Sequence, residues 1–229
     1  MVMKKRQAAA VFAAAGLAAA LAGCGQKAAA EGWKANENSI YVTKDGQVES
    51  AMIYTAEKAN DLYTREGLEA FARDAVSAYN EEQGAEAASE NTEGEERLPA
   101  ALKSCSLEGQ TGTLVFEYGS PEDFVEFSME NGDNTHSITG LKAGAAGELS
   151  DSFPDISVLT AAGKDAGFAL TGSADQEAVS RLKGCQAVIT EGAGTVYVEG
   201  EIVYVTSGVT VKAANAAVMP EGAGCIFFQ

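Results

Sequence analysis

The C-terminal fifth of this chain is built from short β-forming runs cut by glycine. Ala187 to Thr190, Thr195 to Val198, Ile202 to Thr206, Val209 to Lys212 and Cys225 to Phe228 each hold four or five residues. Gly192, Gly194, Gly200, Gly208 and Gly224 fall in the gaps. Short β-branched and aromatic runs at this spacing, with turn residues between them, predict an antiparallel meander. A chain that ends this way is confined to folds containing an antiparallel sheet.

Upstream, the same logic predicts hairpins separated by helices. Ser39 to Tyr54 reads as a hairpin in which Ile40-Tyr41-Val42 and Val48 to Tyr54 flank Lys44-Asp45-Gly46-Gln47. Asp-Gly tolerates the positive φ of a tight turn. Leu102 to Leu107 and Thr111 to Tyr118 make a second hairpin around Glu108-Gly109-Gln110, with Leu114, Phe116 and Tyr118 on one face. Between the hairpins, Asp61 to Glu82 is amphipathic. Leu68, Phe71, Ala72, Ala75, Val76 and Tyr79 form one apolar stripe behind Thr64 as N-cap, and this stripe is expected to pack on the sheet. Residues 81–96 carry seven glutamates and no base, so 81–98 is predicted to be a solvated acidic loop.

Gly119-Ser120-Pro121-Glu122-Asp123 opens a short helix. Ser120 caps it, Pro121 takes the first position, and the acids suit the positive end. Phe124, Val125, Phe127 and Met129 are expected to pack, and Asn131-Gly132 to end it. Asp133 to Asp155 shows no clear pattern. Ile156 to Thr160 and Phe168 to Leu170 read as strands. Ser173, with Gln176 at capping-box spacing, opens a further helix with Ala178, Val179 and Leu182 inward. The fold class is therefore α+β: an antiparallel sheet of hairpins and meander, packed by one amphipathic helix and one or two short ones.

The N-terminus carries a different kind of signal. Lys4, Lys5 and Arg6 precede an uncharged run from Ala8 to Ala22. A basic start before a short apolar run is the pattern of a secretory signal peptide, and the run is too short to cross a hydrocarbon core about 30 Å thick. It closes in Leu21-Ala22-Gly23-Cys24, which resembles the lipobox of bacterial lipoproteins at all four positions. The resemblance implies that the Cys24 thiol receives a diacylglyceryl group. It also implies that a signal peptidase reading Leu21, Ala22 and Gly23 cuts before Cys24. Two acyl chains anchor stably where one binds only marginally. The expected organisation is a signal peptide at 1–23, a lipidated cysteine and flexible tether at 24–38, and one extracytoplasmic α+β domain at 39–229. The expected location is the outer face of the bacterial cytoplasmic membrane, or another envelope-facing membrane where there are two. The tether stretch 25–38 reaches at most about 50 Å. It holds the only tryptophan, Trp33, expected to pack on the domain or to rest at the lipid interface.

Charge narrows the partners. The formal net charge is −17, and a pI near 4.4 argues against nucleic acid. Cleavage would remove three of the 16 bases and none of the 33 acids, leaving 13 against 33, or −20. Basic juxtamembrane clusters that grip anionic lipid are absent, so the lipid on Cys24 is the expected membrane contact. The mature region also resembles small surface lipoproteins of gut-dwelling bacteria. The resemblance lies in the Ile40 to Val48 hairpin behind the lipobox, the acid-rich helix, the strand pair over Ile202 to Val211 and the final aliphatic–aromatic strand. It implies a fold and no activity.

No catalytic set emerges. Cys105, Cys185 and Cys225 lack a C-x-x-C spacing and read as buried small hydrophobes, with one disulfide among them as the alternative. His136, the only histidine, sits in Asn134-Thr135-His136-Ser137 and is expected to be a solvated loop residue. No G-x-S-x-G, H-E-x-x-H or Walker sequence occurs, and Gly192-Ala193-Gly194 joins two strands, which is the wrong setting for a phosphate cradle. No metal-ligating or cofactor-binding set is read. The expected function is a non-enzymatic binding domain for a cell-wall component, a partner lipoprotein or a host molecule. A small-solute-binding component of a transporter and a cell-wall hydrolase are the alternatives. An aromatic-lined pocket of about 300 Å³ or more would favour the first, and a buried carboxylate pair in a cleft the second.

Overall fold

The computed structural model describes residues 33–56, 64–171 and 176–229. In chain order the elements are β1 (Ser39–Val42), β2 (Val48–Thr55), α1 (Arg65–Glu82), β3 (Ala100–Glu108), β4 (Thr111–Tyr118), α2 (Pro121–Glu130) and β5 (Gly140–Ala145). After a 3-10 turn (Ser150–Ser152) come β6 (Ile156–Thr160), β7 (Asp165–Leu170), α3 (Gln176–Arg181), β8 (Gln186–Glu191) and β9 (Gly194–Val198). The chain ends with β10 (Ile202–Thr206), β11 (Thr210–Ala213), β12 (Ala216–Met219) and β13 (Ala223–Phe228).

The fold is α+β, but it has two sheets where one was expected. The first runs β11-β12-β9-β1-β2-β4-β3, the second β5-β8-β13-β10-β6-β7. All strand pairs are antiparallel except β1 with β9, where Ile40 lies opposite Val196. The C-terminal strands do not form a meander: β8, β10 and β13 enter the second sheet, while β9, β11 and β12 enter the first. Continuous apolar runs such as Cys225-Ile226-Phe227-Phe228 belong to strands buried on both faces, whereas one-sided strands alternate. β13 is such a central strand.

The main core fills the space between the sheets. Ile40, Val42 and Val48 from the first sheet meet Val188, Ile226 and Phe228 from the second, with Val76 and Tyr79 of α1 and Phe124 and Phe127 of α2 in the same cluster. The opposite face of the second sheet presents Ala187, Ile189, Cys225 and Phe227 to Ala178 of α3 and to Leu182 just after it. The second sheet is thus a middle layer, covered on both sides.

The caps form as the sequence predicts. Thr64 Oγ1 accepts the Gly67 N–H at 3.0 Å, and Ser120 Oγ accepts the Asp123 N–H at 3.1 Å. The start expected at Asp61 and the Ser173 cap lie outside the described residues. The apolar stripes are narrower than expected: Phe71 is 70% exposed and Met129 65%. Polar Asn80 is buried instead. It donates to the carbonyls of Ala88 and Ala100 at 2.8 Å each and accepts the Ala100 N–H at 2.9 Å. The acidic stretch after α1 is tied to this frame. Leu102 N–H donates to Ser89 O at 2.8 Å, Asn91 Nδ2 to Glu117 Oε1 at 2.7 Å, and Arg73 pairs with Glu90.

Candidate binding groove

α2 begins where Ser120-Pro121 sets the cap, and its spacing puts Glu122, Val125 and Glu126 on one face. That face forms one wall of an open groove of about 470 Å³. The floor comes from β5 and β8, paired with Gly140 opposite Glu191, Leu141 opposite Thr190 and Lys142 opposite Ile189. The 3-10 turn adds Asp151 and Ser152. Lys142 Nζ donates to Ser152 Oγ at 2.9 Å, and Glu126 accepts from Tyr79 OH at 3.5 Å and Gln83 Nε2 at 3.4 Å. Burial, then the charge of Asp123, holds the Tyr79 phenol well above its usual pKa, so it stays a donor. Four carboxylates thus line the groove against one amine already bonded to a hydroxyl.

Thr190 borders the groove, but its side chain is turned into the protein, away from Glu191. Val188 points into the inter-sheet core and Ile189 to the opposite face, so alternation turns Thr190 toward the core. Its side chain is fully buried, and Oγ1 has no hydrogen-bond partner. A buried hydroxyl left this way costs about 1–3 kcal/mol.

A second groove, of about 480 Å³, is lined by Ala145, Val179, Lys183 and Cys185 among others. Neither groove carries an aromatic side chain. A carboxylate pair does exist, on the outer face of the first sheet, where Glu49 lies directly opposite Glu117. Each already has a cation: Lys103 Nζ is 2.6 Å from Glu49, and Arg97 is 3.3 Å from Glu117. Neither acid lines either groove. On the same face the Trp33 ring stacks on Tyr41 at 5.1 Å and 11°. Trp33 Nε1 donates to Ser39 Oγ at 3.3 Å. Glu37 accepts from Lys212 Nζ at 2.7 Å and from Tyr197 OH, and these two bonds hold its carboxyl below the usual range.

His136 is not a solvated loop residue, contrary to expectation. Its side chain is 9% exposed, and its ring packs 5.0 Å from Phe124. After Asn131-Gly132 ends α2, the Asp133 N–H donates back to Ser128 O at 2.9 Å, which turns the chain inward. His136 Nδ1 accepts the Ile138 N–H at 3.1 Å, so the pattern assigns the ring proton to Nε2, 3.4 Å from Asp133 Oδ2. Burial raises the Asp133 pKa, but the nearby His136 ring and the bond from the Thr135 N–H outweigh it and leave the carboxyl below its usual value. Cys105, Cys185 and Cys225 are free thiols, and burial pushes Cys225 up to about 12.

Leu21, Ala22, Gly23 and Cys24 lie outside the described residues. Among the described residues no three His, Cys, Asp or Glu side chains converge to hold a metal ion, and no helix is long and apolar enough to cross a membrane. The groove acids were not singled out in the sequence, apart from Glu122 as a helix-start residue; only Glu122 and Glu126 at i, i+4 leave a local trace. No protein-family model matches the chain, and no curated protein or solved structure shows significant similarity to it.

Proposed function

We propose that the chain is a lipid-anchored surface protein whose extracytoplasmic domain binds a partner rather than transforming it. The α2–β5 groove carries this reading. It is open, about 470 Å³ in volume, and lined by four carboxylates carried on three separate elements. The lipobox resemblance supplies the anchor: a diacylglyceryl group on Cys24, exposed by cleavage after Leu21-Ala22-Gly23, at the outer face of the membrane. The partner is a protein or a cell-wall component.

Two measurements test this. Cys24→Ser should move the protein out of the membrane fraction, and its retention there would sink the anchor. Crosslinking on intact cells followed by affinity capture should recover a partner in proportion to the protein; recovery at the level of an untagged control would sink the binding role.

A further inference from the structure

We infer that Asn131 is a site of spontaneous deamidation, gated by the last turn of α2 and one-way once it occurs. Asn131-Gly132 is the only Asn-Gly pair in the chain, and every other asparagine precedes a residue that carries a side chain. The reaction needs no enzyme. The Gly132 backbone nitrogen attacks the Asn131 amide carbon Cγ, a C–N bond forms, and the side-chain nitrogen leaves as ammonia with the Gly132 proton. Water then opens the cyclic imide at either carbonyl, giving aspartate or isoaspartate. Glycine puts no Cβ in the path of its own nitrogen. The setting is open: both residues are exposed, Gly132 sits at φ +63°, and a Cβ there would meet nothing within 4 Å. The fold restrains the reaction. Asn131 caps α2 at φ −88° and ψ 4°, which turns the Gly132 nitrogen away from the side chain. Its Nδ2 donates to Phe127 O at 2.9 Å, and the Gly132 N–H donates to Met129 O at 3.3 Å. Ring closure breaks both bonds, so it proceeds from the frayed last turn. The product cannot rebuild the cap. A carboxylate has no donor for Phe127 O, and it adds negative charge at the negative end of α2, where Glu130 precedes it and no base stands in the last turn. Isoaspartate also adds a main-chain methylene before Gly132, upstream of the Asp133 N–H that donates to Ser128 O at 2.9 Å.

The full chain in neutral detergent is incubated at mildly alkaline pH, and its peptides are followed by mass spectrometry for the gain that marks amide-to-acid exchange. Asn131 is expected to convert ahead of exposed Asn36, which precedes Glu37. Conversion of Asn131 no faster than that of Asn36 overturns the assignment. In denaturant Asn131 should convert about tenfold faster than in the folded chain, the scale of a fraying cost of about 1.4 kcal/mol. Equal rates in the two states overturn the gate. Asn131→Asp reports on the one-way step directly. It should lower the melting temperature by about 2–4 °C and speed hydrogen exchange at the Asp133 amide severalfold. A variant as stable and as protected as the parent overturns that step. Asn131→Gln keeps an amide but would have to close a larger, slower-forming ring, so the mass gain should vanish from the peptide spanning the end of α2. A gain that persists there in Asn131→Gln places the reaction on another residue and overturns the assignment.

Discussion

Asn80 takes the place of a neighbouring strand at the start of β3. Its amide accepts from and donates to the backbone of Ala100, as a paired strand would, and also holds Ala88. Asn80→Ala would strand both polar groups of Ala100 in a buried position, so stability should fall by about 3 kcal/mol. Urea unfolding measures this, and a change below about 0.5 kcal/mol would contradict the role. Asp133 makes a pH-dependent contribution. Its folded pKa is depressed, so its stabilising effect is complete above the unfolded value near 4 and is lost as pH falls through the folded value. The stability gap between the protein and Asp133→Asn should therefore be constant near neutrality and shrink below about pH 4. A gap that widens in acid would refute the assignment.

At the level of elements, the turn between β8 and β9 and the segment after α2 clasp each other. Ser137 N–H donates to Ala193 O at 2.9 Å, and Ala193 N–H to Ser137 Oγ at 3.0 Å. Gly192 permits this approach: its φ is +99°, and a Cβ there would stand 2.0 Å from the Ser137 carbonyl oxygen. Gly192→Ala meets both penalties and should lower stability by at least about 3 kcal/mol in thermal unfolding. A near-neutral result would show that the clasp is loose. Elements with local punctuation were legible in the sequence. Asp45-Gly46, Gly109 and Ser120-Pro121 mark their turn or helix start within a few residues, and β1 to β4 with α2 follow. β5 was missed because Gly-Leu-Lys-Ala-Gly-Ala alternates weakly, as suits a small-residue strand on a sheet edge. β12 was missed because Ala216-Ala217-Val218-Met219 resembles helix as much as strand. The groove was illegible for a deeper reason: α2, β8 and the 3-10 turn meet only through the non-local pairing of β5 with β8. His136 was misplaced for a like reason: its polar neighbours suggested solvent, but its ring packs on Phe124 of α2.

Over the whole molecule, one core joins residues of both sheets with α1 and α2. Neither sheet can lose its partner without exposing this cluster, so unfolding should be a single transition. Far-UV circular dichroism and the fluorescence of the only tryptophan should give coincident curves; two separated transitions would show that the sheets are independent. That tryptophan also bears on geometry outside the domain. On the proposed anchor, Trp33 is already held against the domain by Tyr41 and Ser39, and the nine residue steps from Cys24 to Trp33 reach at most about 30 Å. That reach is shorter than the 25–38 stretch suggested, and the Trp33 contact lies on the outer face of the first sheet. The α2–β5 groove opens among elements behind the other face. A domain held so close and entered from that side would turn its outer sheet toward the lipid and present the groove to the surrounding medium.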